Sequence, residues 1–269
     1  MNKIPLTLLI LNFFWCPMVS AQMIVAHRGA SHDAPENTLS AFRLAWKQGA
    51  DAIEGDFFLT KDLQIACIHD SKTKRTSGVE RNVSEATMAE LKELDVGSWK
   101  DAKFKGERIP TLGEVLFTVP EDKKIYIEIK CGPEIVPHLL PVLKQSGLNA
   151  EQTIVISFDA KVISETRRLI PDIQAYWLSG FRENKETKVW EPSVDSLFKT
   201  LKESQATALD VNANRKFVDE AFVKRLRENK LGFHVWTVND PQDAKYFQGL
   251  GVDSITTDRP AFLREELAK

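Results

Sequence analysis

The sequence predicts an α/β chain closed into an eight-stranded parallel barrel of the (β/α)8, TIM type, and three observations predict it. Short β-branched runs recur from end to end, and most alternate with amphipathic helical stretches. Setting aside residues 1–21 of the 269 leaves 248, close to the roughly 250 that such a barrel uses. Composition agrees: 43% hydrophobic and 28% charged residues, with no repeat or low-complexity tract, exclude a disordered or collagen-like chain. A balance of 36 basic to 38 acidic side chains argues against nucleic-acid binding through a broad basic surface, while leaving room to grip a single phosphate.

The elements follow in order. Lys3 precedes an apolar run from Ile4 to Val19, and Val19-Ser20-Ala21 offers small residues for a signal peptidase. Residues 1–21 are therefore expected to be a signal peptide, with the mature protein exported to the periplasm or secreted and making no stable membrane insertion. The run is broken by Asn12 and Pro17 and is short for a span of about 20 residues. Cys16 falls inside it behind the bulky Trp15, which does not suit a lipoprotein cleavage site. Only Cys67 and Cys131 then remain, and whether they are bridged stays open, because sequence does not show proximity.

Residues 22–269 are expected to form a single barrel domain. Its strands are placed at Met23 to Ala26, Ala52 to Phe57, Lys124 to Ile129, Thr153 to Ser157, Ile173 to Leu178, Ala206 to Val211, Phe233 to Val238 and Ser254 to Thr257. Thr38 can cap the first helix, which Gly49 can end; Asp159 can open another that stops before Pro171; Phe217 to Lys230 closes near Gly232; and Asp240-Pro241 reads as N-cap and first helical residue. Gln64 to Ile68 follows the second strand too closely for a parallel crossover, so it should turn back as a hairpin. Residues 71–109 are polar and long, with a short helix near Thr87 to Leu94, and read as an inserted subdomain.

Chemistry gathers at the carboxyl ends of these strands. Glu54 and Asp56 stand two apart on the second strand and so share a face. Glu128 and Lys130 repeat the spacing on the third, His27-Arg28-Gly29 ends the first, and His69-Asp70 ends the hairpin, expected to fold back beside Glu54. Three carboxylates crowded at a barrel mouth resist ionisation unless something positive sits among them. One hard divalent cation, Ca2+ or Mg2+ with calcium preferred, answers that need, since all-oxygen ligands suit it better than zinc and no CxxC, HxH or HExxH pattern is present. The plainer alternative is that Glu54 or Glu128 pairs with Arg28 or Lys130. His27 and His69 can divide proton work, and Arg28 and Lys130 supply fixed positive charge suited to an anionic substrate. His32, His138 and His234 lack such company and read as structural. Gly249-Leu250-Gly251 lacks the context of a dinucleotide site, and no Walker or GxSxG motif occurs.

Taken together, His27-Arg28-Gly29-Ala30, Ala34-Pro35-Glu36-Asn37-Thr38, Gly49-Ala50-Asp51, Glu54-Gly55-Asp56, Thr60-Lys61-Asp62, His69-Asp70, Ile109-Pro110-Thr111-Leu112, Glu128-Ile129-Lys130, Trp236-Thr237-Val238-Asn239 and Thr257-Asp258-Arg259-Pro260 resemble the glycerophosphodiester phosphodiesterases. Each string is weak alone; the ordered set spans nearly all of the mature chain. The resemblance implies a TIM-type barrel with an insertion and metal-dependent hydrolysis of a small-molecule glycerophosphodiester to sn-glycerol 3-phosphate and an alcohol. By motif, Glu54, Asp56 and Glu128 look like metal ligands, and His27 and His69 like the acid/base pair. Arg28 and Lys130 would lie near the phosphate and Trp236 beside the glycerol end.

Two residues depart from the family pattern. Gly55 stands where a larger apolar residue is usual, which is expected to loosen the second strand. Leu63 replaces the glycine common after Thr-Lys-Asp, which makes the hairpin turn less certain, because glycine accepts a positive φ that leucine resists. Glu36 reads as a helix-start acid or a partner of Arg28, and Asp70 as orienting His69 or capping a turn. A phospholipase acting on intact lipid and a non-catalytic barrel that binds phosphorylated polyols stay open as alternatives. Oligomeric state is not legible.

Overall fold

The computed structural model describes residues 22–269, so the expected signal peptide lies outside the described residues. The chain runs β1 (Met23–Ala26), α1 (Leu39–Lys47), β2 (Ala52–Leu59), β3 (Ile65–Cys67), α2 (Lys74–Ser77), α3 (Met88–Lys92), α4 (Leu112–Leu116), β4 (Lys124–Ile129), α5 (Val136–Ser146), β5 (Thr153–Ser157), α6 (Ala160–Leu169) and β6 (Gln174–Ser179). It continues through β7 (Arg182–Glu183), β8 (Trp190–Glu191), α7 (Val194–Ser204), β9 (Ala208–Asn212), α8 (Glu220–Glu228), β10 (Gly232–Trp236), α9 (Pro241–Gly249), β11 (Ser254–Thr257) and α10 (Pro260–Leu267).

Strands β1, β2, β4, β5, β6, β9, β10 and β11 are parallel neighbours in that order, and β1 pairs with both β2 and β11, which closes the barrel. The helices start where short polar side chains can take up free backbone N–H groups. Thr38, Asp159 and Asp219 each accept one and Asp240 accepts two, and Thr87 with Glu90 forms a reciprocal capping box on α3. The cap on Asp219 is why α8 begins at Glu220 and not at Phe217. Strand β10 stops at Trp236, two residues early, because Trp236 pairs with Asn212, the last residue of β9. Strand β2 outruns expectation by two residues because β3 pairs with that extension, Phe57 opposite Cys67 and Leu59 opposite Ile65. Beyond the paired residues the Ile68 N–H donates to the Asp56 carbonyl at 2.8 Å, and His69 reaches the cavity that Glu54 also lines, so the end of the hairpin comes back beside Glu54.

Alternation along the strands makes two cores. Val25, Ala52, Tyr126, Ile154, Tyr176 and Ala208 fill the barrel lumen in one cluster. His234 joins this layer as a structural histidine: its Nδ1 lies 2.7 Å from Ser254 Oγ, its ring stacks on Tyr176, and burial pushes its pKa down to about 4. Outward-facing residues such as Ile53 and Phe57 pack against Phe42 of α1 and its neighbours, where each fully buried large side chain contributes about 1.5–3 kcal/mol. With the lower lumen filled, residues one step further along each strand face the open mouth. In the segment after the hairpin, Val83, Met88, Leu91, Leu94 and Val96 cluster with Ile109 against Ala66 and Ile68. Lys100 Nζ donates to the carbonyl of Ser31, tying that segment to the loop after β1. Cys67 and Cys131 are free thiols. Among the described residues no helix is long and apolar enough to cross a membrane.

Gly55 does not loosen β2. A Cβ there would come within 3.1 Å of Phe42 Cζ and 3.4 Å of Asn37 Oδ1, so its absence lets α1 and the preceding loop close on the strand. Leu63 does sit in the turn with φ +60° and is 55% exposed, so it has the strain of a left-handed side chain with little burial to offset it. Leu63→Gly is expected to stabilise the protein by about 0.5–1 kcal/mol, the left-handed penalty less the added freedom of the unfolded chain. Urea denaturation reads this directly, and an unchanged or lower midpoint would show that the turn is not strained by its leucine.

Candidate active site

The second and third barrel strands carry the acids. Asp56 on β2 is in register with Glu128 on β4, and Glu54 lies two residues before Asp56 on the same face. Carboxylate oxygens of Glu54, Asp56 and Glu128 all lie within 4.8 Å of one another, and all three residues are buried. Asn37 locks the middle acid, donating from Nδ2 to Asp56 Oδ2 at 2.8 Å and accepting the Asp56 N–H at 3.1 Å. Arg28 follows the end of β1 with φ +54°, a conformation that turns its N–H onto Glu54 Oε2 at 2.9 Å. The next residue must be glycine: Gly29 has φ +79°, and a Cβ would come within 2.6 Å of the Ala41 backbone.

Two cations flank this trio. The Arg28 guanidinium hydrogen-bonds Glu36 at 3.0 Å and lies 3.2 Å from Asp56 Oδ2 as an ion pair. Lys130 Nζ donates to Glu128 Oε1 at 2.6 Å and stands 3.4 Å from Asp56 Oδ1. Burial raises Glu54 well above the usual carboxylate range, with repulsion from Asp56 and Glu128 adding to it. Burial and Asp56 likewise push Glu128 up to about 7. At Asp56 burial acts the same way, but Arg28 and Lys130 outweigh it and hold that carboxyl low. Glu54 Oε1 and Asp56 Oδ1 are buried without a hydrogen-bond partner. So the pairing alternative is present, yet it leaves two anionic oxygens unsatisfied. An all-oxygen set with excess negative charge fits a hard divalent cation.

Each candidate histidine is held by a carboxylate. His27 Nδ1 lies 2.7 Å from Asp258 Oδ1. Asp258 also accepts from Ser31 and Asn239, and these bonds hold its carboxyl well below the ordinary range against the pull of burial. His69 Nδ1 lies 2.6 Å from Asp70 Oδ1, and Arg75 of α2 bridges Asp70 Oδ2 at 2.5 Å to Glu36 at 2.8 and 2.9 Å. Glu36 therefore joins the Arg28 and His69 sides of the site, and Asp70 orients its neighbour. With Nδ1 engaged, Nε2 is the ring nitrogen left for proton transfer on each histidine.

His27, Arg28, Glu54, His69, Glu128, Lys130 and Trp236 line one cavity of about 280 Å³. Asp56 stands behind them, fully buried. Trp236 meets Phe158 edge to face at 5.4 Å and donates its indole N–H to the carbonyl of Asp210. Sequence reading assigned no role to Asn37, Arg75, Asp258, Phe158, Arg182 or Asp210. Asn37 and Asp258 lie inside quoted motifs, where their signal was available. The other four stand outside those motifs: closure of the barrel brings Phe158, Arg182 and Asp210 to the cavity, and the inserted segment brings Arg75 to Asp70 and Glu36.

The comparisons with known proteins agree with this geometry. The sequence model of the glycerophosphoryl diester phosphodiesterase family matches residues 27–262. The chain is 36% identical over 244 residues to YhdW of Bacillus subtilis, covering 89% of this chain and 96% of that protein. It is 32% identical over 246 residues to a glycerophosphodiester phosphodiesterase of Caldanaerobacter subterraneus, covering 90% and 96%. Its structure superimposes with a TM-score of 0.81 and 26% identity on an Oleispira antarctica phosphodiesterase in complex with the product sn-glycerol-3-phosphate, covering 93% of this chain and 98% of that one. A barrel closed on three buried acids and two carboxylate-held histidines, with motifs in family order across most of its length, belongs to the glycerophosphoryl diester phosphodiesterase family.

Proposed function

We propose that this chain hydrolyses small glycerophosphodiesters to sn-glycerol 3-phosphate and an alcohol. The observation that carries the reading is that His27 and His69 line one cavity with Glu54 and Glu128, whose carboxylates cluster with that of Asp56 behind them. Arg28 and Lys130 bind and orient the phosphate diester against these acids, and Trp236 packs the glycerol carbon skeleton. One histidine takes the proton from the attacking oxygen at Nε2 while the other gives a proton to the departing alcohol. Asp258 and Asp70 fix the two rings and stabilise whichever is charged. The attacking oxygen is that of water, which gives sn-glycerol 3-phosphate directly, or of a glycerol hydroxyl, which expels the alcohol to leave a cyclic phosphate that water then opens to sn-glycerol 3-phosphate; the same acid/base pair serves either route. Glu54, Asp56 and Glu128 would hold a divalent cation, Ca2+ by preference or Mg2+. When bound, that ion supplies Lewis-acid polarisation of the phosphoryl oxygens and offsets their growing charge.

The mouth speaks for a water-soluble diester over intact lipid. Its rim sets one exposed aromatic, Phe158, beside Arg182, Lys130 and Arg28, which is not the extended apolar border that a lipid interface would need. A barrel that only binds is disfavoured because it would have no need of two carboxylate-held histidines beside a buried cluster of three acids. Export rests on residues 1–21 alone, and the mature N-terminus, expected at Gln22, is checked by intact mass of the secreted protein.

His27→Ala and His69→Ala should each lower kcat on glycerophosphoethanolamine by about 10² to 10⁴ with the fold intact, the range for general acid/base groups. Near-normal turnover in either variant removes that histidine from its role. Chelation should abolish activity and added Ca2+ or Mg2+ restore it, with Glu54→Gln binding the cation more weakly by calorimetry; full activity after rigorous demetallation refutes the metal reading.

Proton linkage gives a further expectation. The raised pKa values of Glu54 and Glu128 mean that, without a cation, the folded protein holds protons which the unfolded chain releases above about pH 4.5. Stability then falls as pH rises from about 4.5 to about 7 as far as these acids are concerned. Cation binding displaces those protons, so the rise in Tm on adding Ca2+ should grow over the same interval. A thermal-shift series in which the gain is flat or shrinks with pH runs against it.

A further inference from the structure

A buried carboxyl that the chemistry above leaves unused stands on the cavity floor. Asp210 on β9 is in register with Leu178 of β6 on one side and His234 of β10 on the other. Alternation places it in the lumen one step above Ala208 of the packed layer. Around the closed sheet, β9 lies opposite β2, so Asp210 faces the acid pair from the far wall. It does not belong to the cluster of three acids. The residue is 1% exposed yet lines the cavity, and its Oδ1 has no hydrogen-bond partner. A buried acceptor left unpaired is costly unless something completes it. Burial, with Glu128 adding to it, keeps the carboxyl well above its ordinary range, so it offers a donor as well as an acceptor.

We propose that Asp210 is a specificity-determining residue whose carboxyl hydrogen-bonds a hydroxyl of the glycerol moiety. The inference rests on the reaction proposed above and names the part of the substrate that this wall selects. Buried Ile156, Leu178 and Thr256 line the cavity with Asp210 and the Trp236 ring, while the 45%-exposed Phe158 and the exposed Arg182 line its open side. The alcohol varies among glycerophosphodiesters and needs the open side; the glycerol is common to all and fits the closed one. A floor of apolar surface with one unpaired carboxyl suits a short carbon skeleton bearing hydroxyls. The bond from the Trp236 indole to the Asp210 carbonyl sets the flat wall and the polar group at a fixed spacing.

The test compares glycerophosphoethanolamine with the 1-propanol ester of phosphoethanolamine, which keeps the diester and headgroup but has no glycerol hydroxyls. The wild type should prefer the first in kcat/KM by about 10²-fold or more, as sites built around a hydroxyl do. Asp210→Ala should cut that preference at least about tenfold by losing activity on the glycerol substrate alone, and Asp210→Asn, whose amide also donates and accepts, should retain most of it. An unchanged preference in Asp210→Ala, or an equal loss on both substrates, overturns the proposal.

Calorimetry of sn-glycerol 3-phosphate against propyl phosphate, with Ca2+ present, reads the same subsite without turnover. Should the wild type favour sn-glycerol 3-phosphate through Asp210 yet cleave no glycerophosphodiester, the subsite stands and the reaction reading falls. A wild type that binds the two phosphates alike sinks the subsite, whatever its turnover.

Discussion

Mutual repulsion among three buried carboxylates at the barrel mouth is the constraint on which this structure turns. At the roughly 4 Å spacing of such a cluster each like-charged pair costs on the order of 4 kcal/mol at an effective dielectric near 20. The fold answers with two fixed cations, Arg28 and Lys130, against three acids. That leaves one negative charge, and only a proton or a bound cation can take it up. The backbone around the trio is shaped by the same need. Arg28 and Asn37 both take left-handed conformations, and both direct N–H groups, main-chain or side-chain, onto the acids. Strain of this kind persists where the surroundings over-determine it, and here Gly29 against α1 and the closed strand at Gly55 do so.

Barrel closure does more than bury apolar surface. The last strand pairs with the first, Ala26 opposite Thr257, and the residue after each member of that pair is a partner in the site, His27 and Asp258. A contact spanning 231 residues of sequence is thereby reduced to a question of register. If β11 slipped by one residue, every side chain on it would change face and His27 would lose its anchor. Folding and the orientation of this histidine are thus one event.

Much of this was legible in the sequence. Strands β1, β4, β5 and β11 begin and end where β-branched runs meet turn residues, and Thr38, Thr87, Asp159 and Asp240 announce their helices because N-capping is a local interaction. The acids and histidines could be placed at the mouth because a period of two and a short hairpin are also local rules. What stayed hidden is long-range. The end of β10 is set by its neighbour β9 running out. Asp210 and Arg182 carry no motif, and only closure brings them to the cavity; Arg75 carries none either, and reaches Asp70 and Glu36 from the inserted segment. Gly55 misled because its effect depends on Phe42, thirteen residues away and in another element.

The two histidines sit in unequal mounts, and the inequality bears on how the site works. Asp258 is gripped by His27, Ser31 and Asn239 within the barrel rim. Asp70 is gripped by Arg75, which stands on a single helical turn and is 44% exposed. Exposed ion pairs are worth little as stability, so the value of Arg75 lies in geometry: it spans Asp70 and Glu36, and through Glu36 it reaches Arg28. His27 is therefore anchored by groups of the barrel rim itself, while His69 depends on a contact from the inserted segment. The two rings are held by the same kind of carboxylate bond, but only the first is fixed by the pairing that closes the barrel.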